Sequence, residues 1–154
     1  MKTSFLRVLT FITIFICSAS SCNKEADTIN TENNIPMANG KIKIKIGSQI
    51  FTAALLDNAS AKAFKEKFPL TINMIELNGN EKYYDLPKNI PTNPANPQTI
   101  KNGDLMLYGS KTLVLFYKTF STSYRYTKLG SIDDATGFAT ALGSGNATVI
   151  FDAE

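Results

Sequence analysis

Lys41-Ile-Lys-Ile-Lys-Ile46, then Gly47-Ser48, then Gln49-Ile-Phe-Thr-Ala-Ala-Leu-Leu56 decide the fold class of this chain. In the first stretch isoleucine and lysine alternate strictly. Successive side chains of an extended backbone point to opposite faces, so Ile42, Ile44 and Ile46 share one face and the lysines the other, the pattern of a half-buried β-strand. The lysines also discourage edge-to-edge pairing with another chain. Gly47-Ser48 is a turn signal, and the next stretch returns as the second strand of a hairpin. Asp57 then reads as the cap of a helix with Ala59, Ala63, Phe64 and Phe68 on one side, Lys62, Lys65, Glu66 and Lys67 on the other, and Pro69 as its stop.

Beyond that helix strands are expected at Leu70 to Leu77, Glu81 to Leu86, Leu105 to Tyr108, Thr112 to Lys118, Tyr124 to Leu129 and Ala147 to Phe151. Gly79-Asn80 and Gly109-Ser110 mark turns. Leu113-Val-Leu-Phe-Tyr117 is apolar on both faces and reads as a central, fully buried strand. Asp133-Asp134 ahead of Thr136 to Leu142 predicts a short second helix, capped by the acids and stopped by Gly143. Four prolines between Pro87 and Pro97 leave a long loop with no strand or helix capacity. Mostly β structure of eight short strands with one or two short helices is accommodated best by a closed barrel, because closure removes exposed edges. Helices do not alternate with strands, which argues against an α/β sheet.

The composition excludes several chemistries. The chain has 154 residues, no His, no Trp and two Cys, enough for one domain and an appendage. Without histidine there is no Ser-His-Asp hydrolase, no Cys-His protease and no His-ligated zinc or haem. No cofactor or metal is expected.

Residues 1–21 have the features of an export signal: Lys2 and Arg7, the apolar run from Val8 to Ile16, and the small residues Ser18-Ala-Ser-Ser21. The apolar run is far shorter than the roughly 20 residues needed to span a bilayer. Small residues directly before Cys22 resemble the lipobox of bacterial lipoproteins. That resemblance implies a lipid on Cys22, loss of Cys17 with the signal, and a place in the cell envelope, at the outer membrane and facing either the periplasm or the surface. Residues 22–40 carry no aromatic ring and no sustained apolar period, and read as a flexible tether on the order of 25 Å in reach. Lys24-Glu-Ala-Asp27 is similar to a lipoprotein surface-export signal. The barrel domain is expected over 41–152. Removing Lys2 and Arg7 takes the net charge from +3 to +1, and the remaining lysines form no dense basic face, so nucleic acid is not an expected partner.

Candidate binding residues come from aromatic clustering. All six tyrosines lie between Tyr83 and Tyr126, and strand alternation sets Tyr124 and Tyr126 opposite Arg125. Tyr83, Tyr108, Phe116, Tyr124, Arg125 and Tyr126 are the candidate lining of a groove for a peptide, glycan or other small organic ligand. The competing reading is barrel packing with hydroxyls at the rim. Glu76 and Glu81 flank a hairpin turn and read as solvated rather than as an acid–base pair. Asp133-Asp134 lacks the further oxygen ligands of a calcium loop, and Gly143-Ser-Gly145 is followed by no lysine as a phosphate loop would be. The loop from Pro87 to Thr99 is long enough to be functional, and equally an inert connector.

The order of hairpin, helix, buried strands and late short helix resembles the cyclophilin-like barrel. Gly103-Asp-Leu-Met-Leu-Tyr-Gly109 with Leu113 to Tyr117, Leu77-Asn-Gly-Asn-Glu-Lys-Tyr-Tyr84 and Tyr124-Arg-Tyr-Thr-Lys-Leu-Gly130 are similar to a group of small bacterial cyclophilin-like proteins of uncharacterised function. True cyclophilins isomerise X-Pro bonds with an arginine on the strand after the first helix, with a glutamine, a tryptophan and a histidine in support. Leu70 to Leu77 has no arginine, and the chain has no tryptophan or histidine. The resemblance therefore implies a non-catalytic binding module with no assigned catalytic residue. The alternatives are a degenerate prolyl isomerase using Arg125, and an accessory domain beside a flavodoxin-like redox partner. Oligomeric state is not legible in the sequence.

Overall fold

The alternation that opens the domain is realised in β1 (Lys41–Ile46), where each isoleucine is buried and each lysine exposed. This computed structural model describes residues 40–154. The expected signal, Cys22 and all of the tether before Gly40 lie outside the described residues.

β1 pairs with β2 (Gln49–Leu55), which leads into α1 (Ala59–Lys65). There follow β3 (Leu70–Leu77), β4 (Glu81–Asp85), β5 (Thr99–Ile100), β6 (Asp104–Tyr108), β7 (Thr112–Phe116), β8 (Phe120–Ser121), β9 (Thr127–Ile132), α2 (Phe138–Leu142) and β10 (Ala147–Ala153). Eight of these strands close a barrel in the order β1-β10-β3-β4-β7-β6-β9-β2, every adjacent pair antiparallel. The expected closed, eight-stranded, mostly β architecture is thus the observed one. β5 and β8 form a separate two-stranded ribbon.

Inward residues from all eight strands fill the barrel, and both helices add rings to it. Phe64 of α1 meets Phe151 and Phe68 edge-on at 5.2 and 5.0 Å, and Phe138 of α2 meets Phe51 edge-on at 5.1 Å. At the β2–β9 pairing the backbones approach so closely that a Cβ on Gly130 would run into the carbonyl of Ala54, which explains glycine in mid-strand.

Several local expectations are corrected. The cap of α1 is Asn58 rather than Asp57: its backbone is extended, its Oδ1 accepts from Ala61 N at 2.8 Å, and its amide donates to Lys128 O, tying the helix start to β9. α2 starts only at Phe138, after Gly137 in the left-handed region, with no side-chain cap. The two acids lie too far upstream to cap it. Asp134 accepts from Thr136 N within its own turn, and Asp133 pairs with Lys41 at 2.6 Å. β9 begins at Thr127, not Tyr124, because the backbone of Tyr126 is drawn into a two-way bridge with Ala95.

Candidate ligand groove

The neighbouring strands β7 and β6 bury side chains on both faces, and β4 beside them buries Lys82 on one face and half-buries Tyr83 on the other. Leu113 and Leu115 of β7 and Leu105 and Leu107 of β6 point into the barrel, as does Lys82 of β4. The alternate residues point outward: Tyr83 sits opposite Val114, and Val114 opposite Met106. Outside the barrel wall, Met106, Val114, Phe116 and Tyr126 pack with Ile100 of β5 into a second apolar cluster, against which Tyr83 and Phe120 lean. The β5–β8 ribbon covers one side of that cluster.

The other side is open. Leu77, Asn78, Asn80 and Glu81 from the β3–β4 turn, Tyr83, Tyr108, Thr112 and Val114 from the barrel wall, and the run Phe120 to Tyr124 with Tyr126 line a groove of about 510 Å³. The rings form a continuous chain: Tyr124 to Tyr108 at 6.2 Å, Tyr108 to Tyr126 at 5.6 Å, Tyr126 to Phe116 at 5.5 Å and Phe116 to Phe120 at 5.7 Å. Tyr126 is buried, whereas Tyr108 and Tyr124 are 47% and 62% exposed, so one end of the chain of rings is held and the other faces solvent.

Of the sequence-derived candidates, Tyr83, Tyr108, Tyr124 and Tyr126 line this one groove. Phe116 is fully buried and forms the floor beneath Tyr126 and Phe120. Arg125 is not among the groove residues; its Nη2 donates to the carbonyl of Pro94 at 2.6 Å. The lining from Phe120 to Ser123 and from Asn78 and Asn80 was not found because those residues share no period with the barrel strands, and Glu81, expected to be a solvated turn residue, in fact lines the groove.

The proline-rich segment holds this wall in place. Ala95 and Tyr126 exchange both backbone hydrogen bonds at 2.9 Å, Asn93 N donates to the buried hydroxyl of Thr127, and Thr122 N donates to Gln98 O. At its start, Leu86 N and Ile90 N donate to Lys111 O and Ser110 O. Prolines limit the chain entropy lost in such fixed paths, which suits a strap rather than a mobile lid.

The electrostatics of the β3–β4 turn differ from the solvated pair expected there. Lys82 is fully buried; its Nζ lies 2.6 Å from Glu76 Oε2 and 3.0 Å from Gly143 O, and also donates to Gly145 O. Gly143-Ser-Gly145 is therefore a turn whose carbonyls hold an internal ammonium. Tyr117 OH donates to Glu76 at 2.7 Å, and Gly79 N donates to it at 2.9 Å. Burial pushes the Glu76 carboxyl up, but the bonds from Lys82, Tyr117 and Gly79 outweigh it and hold the group below the ordinary carboxylate range. Glu81 is shifted the other way, by burial first and by the charge of Glu76 second. The hydroxyl of Tyr126 is pushed up to about 12 by burial, with the charge of Glu81 next. Among the described residues, no three carboxylate or thiol groups gather closely enough to hold a metal ion.

The model of a cyclophilin-like family matches residues 44–152, nearly the whole barrel. The chain belongs to the cyclophilin-like family. It is also similar to the solution structure of the hypothetical protein AF2241 from Archaeoglobus fulgidus, with a TM-score of 0.51 and 14% identity over 80% of this chain and 99% of that one. At that identity the likeness is one of fold alone. No curated protein matches the chain.

Proposed function

We propose that this cyclophilin-like domain is a non-catalytic binding module, carried on a lipid at Cys22 in the bacterial cell envelope, whose groove takes a peptide, glycan or small organic ligand. The observation that carries the reading is the chain of rings from Tyr124 to Phe120 on the outer wall of an already closed barrel. A barrel filled by its own interior needs no second aromatic cluster with an open side to be stable. Rings offer apolar area with a polar tip at small entropic cost, and the groove volume falls in the range of small-ligand sites. Arg125 has its guanidinium on the carbonyl of Pro94, so nothing favours the isomerase alternative over plain binding.

Titration of the full chain with short envelope-type peptides and oligosaccharides, followed by tyrosine fluorescence, gives saturable binding that weakens when Tyr124 or Tyr126 becomes Ala. Absence of saturation by every ligand class removes the reading. Incorporation of labelled fatty acid in cells, abolished by Cys22→Ala, tests the anchor separately.

A further inference from the structure

The groove is aromatic, but its charge is not neutral. Glu81 lines it, no groove residue is basic, and among the described residues no Lys or Arg nitrogen lies within ion-pairing range of that carboxylate. The contrast with Glu76 is direct, since Glu76 has Lys82. A carboxylate drawn partly out of water gains from a paired cation, and the faces of tyrosine rings attract cations. The groove therefore presents a carboxylate without a cation beside tyrosine rings.

Resting on the binding-module reading, the geometry points to a specific occupant: the ammonium or guanidinium head of a basic side chain in a peptide, its head toward Glu81 and its apolar stem along Tyr108 and Tyr126. The open side at Tyr108 and Tyr124 admits a side chain that projects from a larger molecule. Burial and the charge of Glu76 both penalise ionised Glu81, and a cation seated beside it relieves that penalty.

Four probes titrated into the full chain test this: the peptide acetyl-Ala-Lys-Ala-amide, the same peptide with its lysine acetylated, n-butylammonium chloride, and n-butanol. The lysine peptide saturates the tyrosine fluorescence change, acetylation of its lysine weakens binding about tenfold, and Glu81→Gln abolishes the difference between the two peptides. Equal binding of both peptides to the unaltered chain overturns the inference while leaving the groove as a binding site. Binding of n-butylammonium without binding of the lysine peptide overturns the peptide-borne source. Silence from all four probes overturns this inference, while the binding-module reading stands or falls on the separate peptide and oligosaccharide titrations.

Discussion

The two apolar clusters of this molecule share strands β6 and β7 and differ in what surrounds them. Inside the barrel, Leu105, Leu107, Leu113 and Leu115 meet side chains from every direction, and Phe64, Phe138 and Phe151 are fully buried among them. Outside, Met106, Val114 and Phe116, their immediate neighbours in sequence, meet a ribbon on one side and a groove on the other. The inner set is aliphatic and phenylalanine apart from Tyr117, whose hydroxyl is bonded to Glu76; the outer set ends in tyrosine hydroxyls at an open groove. Strand alternation has thus divided one stretch of sequence between holding the fold together and presenting a surface, and changes on the two faces should separate accordingly.

The most damaging change lies inside. Phe64→Ala removes a ring packed on two others, and denaturant unfolding should register a loss of about 4 kcal/mol. Next comes Glu76→Ala, which leaves the Lys82 ammonium buried without its carboxylate, for a loss of about 3 kcal/mol at neutral pH. Acid unfolding sharpens this. The folded-state pKa of Glu76 lies below its ordinary value of 4.5, so its contribution is present above that value and is lost as pH falls through the folded-state pKa. Stability curves measured into the acid range should therefore fall for the unaltered protein and be flatter for the Glu76 variant.

On the outer face, Tyr108→Ala should change unfolding free energy by no more than about 0.5 kcal/mol while weakening ligand binding, because the ring is half exposed. A loss of stability as large as that of Phe64→Ala would erase the distinction between the clusters. The smallest effect is spectroscopic. Burial first, and nearby carboxylates after it, push the Tyr117 and Tyr126 hydroxyls up to about 12 from an ordinary 10, and Glu81→Gln should move the Tyr126 transition down by removing a nearby negative charge, read as tyrosinate absorbance.

The barrel was legible because its strands are long enough to stand out as alternating or continuous apolar runs between turn signals: all eight are found where they are expected, with ends shifted by a few residues. β5 and β8 have two residues each and can show no period. Four groove tyrosines were legible as a cluster, whereas the placement of Arg125 depends on Pro94, 31 residues away. Lys82 is the instructive omission. It shares a face with Tyr84 and Leu86, a local hint that it points inward, yet the carbonyls that make burial tolerable lie 61 and 63 residues downstream. No nearby pattern announces such partners.

The proline-rich strap grips the groove wall almost wholly through its peptide groups: the carbonyls of Pro94, Ala95 and Gln98 and the N–H groups of Asn93 and Ala95. Main-chain groups are common to nearly all amino acids. The outward side chains of this strap are therefore interchangeable, and a foreign epitope of equal length grafted there would ride on the barrel without disturbing the tyrosines beneath it.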